Sequence, residues 1–113
     1  MFKVAIVGAE NRGDYKLFVN KCSSILKNKI NDGIVFYSCG DRYVNLLGRA
    51  TNIDVVNFNT NWKLNGKNAL KVRNNDIINK CDAAIIFDDG TSDIKIFTKM
   101  VKDANKPHRV IAL

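Results

Sequence analysis

The residues best suited to chemistry follow four short apolar runs. After Phe2–Val7 come Gly8, Ala9, Glu10, Asn11 and Arg12. After Ile34–Tyr37 come Ser38, Cys39, Gly40, Asp41 and Arg42. After Ile53–Phe58 come Asn59, Thr60, Asn61 and Trp62. After Ala83–Phe87 come Asp88, Asp89, Gly90, Thr91 and Ser92. Arginine forms bidentate bonds to phosphate or carboxylate. Glycine lets backbone approach a ligand closely. Thr91 or Ser92 can cap a helix, and a helix N-terminus attracts anions. Asp88 and Asp89 are adjacent, so on an extended stretch they point to opposite sides; one of them could hold a ribose hydroxyl or a magnesium ion. Trp62 can stack on a base, and the Arg73-Asn74 pair can face the same cleft from a helix start. Each feature also has a plainer reading: a solvated loop arginine, a capped helix, a tryptophan packed over a sheet edge.

No single motif decides between these readings. Gly8 to Gly13 spells G-x-x-x-x-G, but Asp14 follows where a phosphate-binding P-loop needs Lys-Ser/Thr. The stretch is not G-x-G-x-x-G either. The three cysteines, Cys22, Cys39 and Cys81, are widely spaced, which argues against a disulfide framework or a zinc site. With His108 as the only histidine, most His-based metal and triad schemes fall away, and no metal site is expected. No apolar run approaches the roughly 20 residues of a membrane span. Residues 1–14 do not read as a signal peptide, so a reduced, cytoplasmic setting is expected.

The net charge of +7 favours anionic partners, either nucleic acid or phosphorylated small molecules. The basic residues are dispersed, however, and no basic patch is interleaved with aromatics, so nucleic acid ranks below a nucleotide-type ligand.

The elements that must position these residues alternate. Phe2–Val7 reads as a buried strand closed by Gly8. From an N-cap at Asp14, the apolar residues Tyr15, Phe18, Val19, Cys22, Ile25 and Leu26 follow one helix face, and Asn31-Asp32-Gly33 breaks it. Strands follow at 34–37, 53–58, 83–87 and 109–113. Helices are expected over 42–50, about 69–80 and from Ile94 to Ala104, with Pro107 as a stop. The polar stretch 59–68 is read as irregular. The βαβαβαβαβ order and continuously apolar strands imply a single α/β domain over 1–113. Its expected form is a Rossmann-like or flavodoxin-like three-layer sandwich with a five-stranded, mainly parallel sheet. In such sheets ligands bind beyond the carboxyl ends of the strands, which is where the four polar loops gather.

Several stretches then match a family pattern in order and distance: KVAIVG with a following Arg, N-x-x-W at 59–62, Gly66-Lys67, Arg73-Asn74, and DAAIIFDDGTS at 82–92. Together they resemble the SLOG superfamily, which takes in the DNA-uptake protein DprA/Smf and the Lonely Guy cytokinin enzymes. Within it the chain looks like the small single-domain branch found in bacteria and phages. The resemblance implies binding of nucleotides or of NAD- or ADP-ribose-like derivatives. It places Gly8 and Arg12 in the first loop, Gly40 and Arg42 in the second, Trp62, Arg73 and Asn74 before the fourth strand, and Asp89, Gly90 and Ser92 in the last loop. The glycine-rich second loop of that branch is here Cys39-Gly40-Asp41-Arg42-Tyr43, so Tyr43 is expected to block part of a phosphate site. The clustered glycines and catalytic glutamate of Lonely Guy enzymes are absent.

The leading expectation is a module that senses or sequesters a nucleotide. Arg12, Arg42 and Arg73 would hold phosphates, Asp89 a ribose, and Trp62 or Tyr43 the base. Other expectations are a hydrolase of N-glycosidic bonds using Glu10, Asp41 or Asp89, and a single-stranded DNA-binding protein. A protein with a vestigial cleft that acts through a partner is a further one. A homodimer formed through a helix face is compatible with each.

Overall fold

The apolar runs form the strands that their composition predicts, and the periodic segments form the helices. The computed structural model describes residues 1–29 and 33–113, without the side chains of Asn11 and Arg12. The strands are β1 (Phe2–Val7), β2 (Ile34–Ser38), β3 (Val55–Asn57), β4 (Ala83–Asp88) and β5 (His108–Ala112). The helices are α1 (Ala9–Arg12), α2 (Tyr15–Leu26), α3 (Arg42–Thr51), α4 (Trp62–Asn65), α5 (Ala69–Lys80) and α6 (Ser92–Asp103). A 3₁₀ turn at Gly66–Asn68 joins α4 to α5. The expected break at Asn31 and Asp32 lies outside the described residues.

All five strands are parallel, in the order β3-β2-β1-β4-β5. The fold is a Rossmann-like three-layer α/β sandwich. Alternation along β1 shows how the two faces are built. Val4 and Ile6 pack with Phe18, Cys22 and Leu26 of α2 and Val44 and Leu47 of α3. Ala5 and Val7 pack with Ile77 and Ile78 of α5 and Ile94, Phe97 and Val101 of α6. Successive side chains of a strand point to opposite faces, so a fully apolar run is what a strand covered on both sides requires. No described helix is long and apolar enough to cross a membrane.

The helix starts are chemically specified. Asp14 Oδ1 accepts from Leu17 N–H at 2.7 Å, and Asn61 Oδ1 accepts from Leu64 N–H at 3.0 Å. Both are side-chain N-caps, each worth about 1 kcal/mol. α1 and α4, of four residues each, lie in segments read from the sequence as irregular.

Strand order turns around at β1, with β2 on one side of it and β4 on the other. The carboxyl ends of β1 and β4 therefore form the topological switch point, where ligands of such sheets bind. Gly8 makes the turn there with φ of +83°, and a Cβ at this position would collide with the Phe87 carbonyl oxygen. No other residue type fits both conditions.

Candidate functional site

A crevice of about 250 Å³ opens at this switch point. Val7 and Gly8 come to it from the end of β1, and Cys39 and Asp41 from the β2–α3 loop. α5 supplies Leu70 and Arg73, and α6 supplies Ile94 and Phe97. Glu10, Thr91 and Asp93 complete its rim.

Two neighbouring grooves meet the crevice at Arg73. One, of about 400 Å³ between α5 and α6, carries Lys67, Lys71 and Arg73 beside Leu70, Ile96 and Met100. The other, of about 470 Å³, is rich in amides from Asn57, Asn59, Asn61, Asn65 and Asn79. Arg73 lines all three spaces.

The Arg73 guanidinium is held by neutral acceptors. Its Nε and Nη2 donate to Asn74 Oδ1 at 3.4 and 3.0 Å, and its Nη1 donates to Thr60 Oγ1 at 3.3 Å. Asn74 is only 3% exposed and its Nδ2 faces the Met100 sulfur at 3.9 Å, so its amide is a fixed support. Among the described residues the ion pairs are Lys80–Asp76 and Lys99–Asp103, and no carboxylate lies within ion-pair distance of Arg73. Of its five guanidinium N–H groups, two have no hydrogen-bond partner among the described residues.

The second loop has a different role. Asp41 is 6% exposed. Its Oδ2 accepts from Ala9 N–H at 3.0 Å and Glu10 N–H at 3.3 Å, and its Oδ1 accepts from Tyr43 N–H at 2.8 Å. One carboxylate thus caps both α1 and α3. Glu10 Oε2 returns the bond by accepting from Arg42 N–H at 3.0 Å. Ser38 Oγ, fully buried, accepts from the N–H groups of Gly40 and Asp41. Burial raises the Asp41 carboxyl above the usual carboxylate range; the Tyr43 N–H pulls it back and the nearby Glu10 charge raises it further. Burial likewise pushes the Cys39 thiol up, against the pull of the Arg73 guanidinium. That keeps the thiol protonated rather than nucleophilic.

The last loop carries local hydrogen bonds. Asp88 Oδ1 accepts from Gly90 N–H at 2.9 Å. Asp89, 3% exposed, accepts through Oδ1 from the Thr91 N–H and hydroxyl at 3.0 and 2.6 Å. Thr91 Oγ1 in turn caps α6 at Ile94 N–H, 3.4 Å away.

The structure therefore brings Gly8, Arg73 and Thr91 to the crevice wall, with Asn74 behind Arg73 and Asp89 behind Thr91. It leaves other expected residues off that wall. Gly40 and Gly90 in their loops and Ser92 at the start of α6 are exposed and do not line it. Arg42 is exposed, with its guanidinium 5.7 Å from the Tyr43 ring centre. Trp62 is 57% exposed on α4 and lines none of the three spaces. The Arg12 side chain lies outside the described residues. Tyr43 does not block the crevice: its ring packs against Tyr15 and Phe18, and its hydroxyl donates to the Gly13 carbonyl at 3.2 Å.

Nothing in the sequence marks Cys39, Leu70 or Asp93 as binding residues, and it offers Asp41 only as a candidate acid. An aspartate just before a helix is a sequence signal for an N-cap, but nothing local shows that it also caps a second helix. Among the described residues, no three His, Cys, Asp or Glu side chains gather as a metal site would need. A scan against protein-family models found no match, and searches of curated proteins and of solved structures found none either.

Proposed function

We propose that this chain binds a nucleotide or nucleotide-derived ligand, such as an NAD- or ADP-ribose-like molecule, at the carboxyl edge of its sheet. The observation that carries the reading is Arg73. It is a half-buried guanidinium set by neutral supports, without a carboxylate partner among the described residues, at the junction of the switch-point crevice and two grooves. A cation so placed favours an anionic group. Lys67 and Lys71 extend the positive charge along the α5–α6 groove, while Leu70, Ile96 and Met100 offer apolar surface to a ring. Sites of this kind combine apolar walls with a few fixed polar groups.

Binding is favoured over hydrolysis. The three loop carboxylates expected from the sequence to cleave an N-glycosidic bond, Glu10, Asp41 and Asp89, each accept hydrogen bonds that hold a helix start or a loop.

A thermal-shift panel at low salt tests the reading, with NAD, ADP-ribose, AMP, GMP, cyclic nucleotides and a short single-stranded DNA. A selective shift by a nucleotide is expected. Arg73→Gln should weaken that ligand by roughly 10- to 100-fold, the loss of a charge-assisted bond of about 1.5–3 kcal/mol. Unchanged affinity in Arg73→Gln for every nucleotide that binds would overturn it.

A further inference from the structure

In doubly wound sheets the phosphate of a ligand is usually received at the first strand–helix turn, where backbone N–H groups converge. In this chain two donors of that turn, the Ala9 and Glu10 N–H groups, are already engaged, together with one from the second turn. The N–H groups of Ala9, Glu10 and Tyr43 all point at the Asp41 carboxylate, at 3.0, 3.3 and 2.8 Å. That carboxylate is almost wholly buried and cannot swing out without breaking both helix starts. Glu10 stands beside it on the crevice rim and Asp93 faces from α6, so Arg73 is the one cation among the described lining residues.

We propose that Asp41 is a built-in anion that bars phosphate from the first-loop position. It leaves Arg73 as the anion contact, and the group that enters beside Gly8 is uncharged and polar, or cationic. This inference rests on reading the crevice as a ligand site, and it narrows the ligand class. The preferred molecule carries its anion at one end and a hydroxyl-rich, amide or positively charged group at the other. A compact polyanion with phosphate on both ends is disfavoured. Asp41 is thus a specificity-determining residue: it acts by occupying the donors and by its charge.

The test is an NMR titration of the ¹⁵N-labelled full chain with inorganic phosphate, against chloride at matched ionic strength. In the wild type the Arg73 Nε resonance should move, while the amides of Ala9, Glu10 and Tyr43 stay in place. In Asp41→Gly those amides are released, and phosphate should move them, with phosphate affinity raised at least roughly tenfold. Glycine is chosen because it is tolerated at an N-cap and leaves the most room. Phosphate-induced shifts of the three amides in the wild type would overturn the inference, as would a folded Asp41→Gly that gains no affinity. If Asp41→Gly does not fold, the wild-type amides decide alone. A silent Arg73 resonance combined with a gain in Asp41→Gly would sink the nucleotide reading and leave the role of Asp41 standing.

Discussion

The β2–α3 and β4–α6 loops begin from similar sequences and end in different roles. Each follows an apolar strand and contains a buried aspartate. Each has a glycine at positive φ, Gly40 at +90° and Gly90 at +82°, and each opens a helix with a side-chain cap. The bonds that Asp88 and Asp89 accept from Gly90 and Thr91 span two residues. Those of Asp41 to Ala9 and Glu10 span 32 and 31. The first kind shapes a loop and leaves Thr91 at the crevice rim. The second kind ties two loops together and uses up the donors that a ligand would need. A polar strand end is therefore a candidate site only after its own hydrogen bonds have been accounted for.

The largest effect expected from this contrast is on stability. Asp41→Ala strands three N–H groups at buried helix starts and should cost about 4 kcal/mol. Thr91→Ala removes one cap and should cost about 1 kcal/mol. Urea unfolding of the two variants checks this, and equal costs would break the distinction between a brace and a local turn.

A second pair separates close packing from backbone conformation. Gly8→Ala meets both a positive φ and the Phe87 carbonyl, and about 3 kcal/mol is expected. Gly40→Ala meets only the positive φ, with nothing near its Cβ, and about 1 kcal/mol is expected. Thermal unfolding of both variants reads the difference.

The smallest effect is in pH dependence. Because burial raises the Asp41 carboxyl, the folded chain binds that proton more tightly than the unfolded chain. The stability this group contributes is complete below its unfolded value, near 4. It is lost as pH rises through the raised folded value. The stability of the wild type relative to Asp41→Asn should therefore grow as pH falls from neutrality through that window. A gap that narrows on acidification would contradict the burial argument.

Elements long enough to show a period were legible. The α2 face of Phe18, Cys22 and Leu26, its cap at Asp14, and the α5 span of 69–80 all lie where spacing and capping chemistry put them. β3 is shorter than the expected 53–58, spanning Val55–Asn57, because the Ile53 N–H turns back to the Gly48 carbonyl of α3, and Asp54 and Phe58 contribute only single bonds to β2 at its two ends. α1 and α4 were missed because a one-turn helix carries no period to detect. Within the site, Gly8 was readable from its place after a strand, and the Arg73-Asn74 pair as neighbours near the start of a helix.

The sequence by itself determined that the chain would alternate strands and helices, that its strands would be covered on both faces, and that its polar groups would gather at one edge. Those properties follow from hydrophobic period and local capping, which act over a few residues. Only the tertiary structure decided the strand order, and with it the switch point between β1 and β4. It also turned Tyr43 toward Tyr15 and Phe18, left Trp62 and Arg42 off the crevice wall, and set Asp41 across two helix starts. Each of these depends on contacts between segments tens of residues apart, where burial and hydrogen-bond satisfaction, rather than local propensity, select the arrangement.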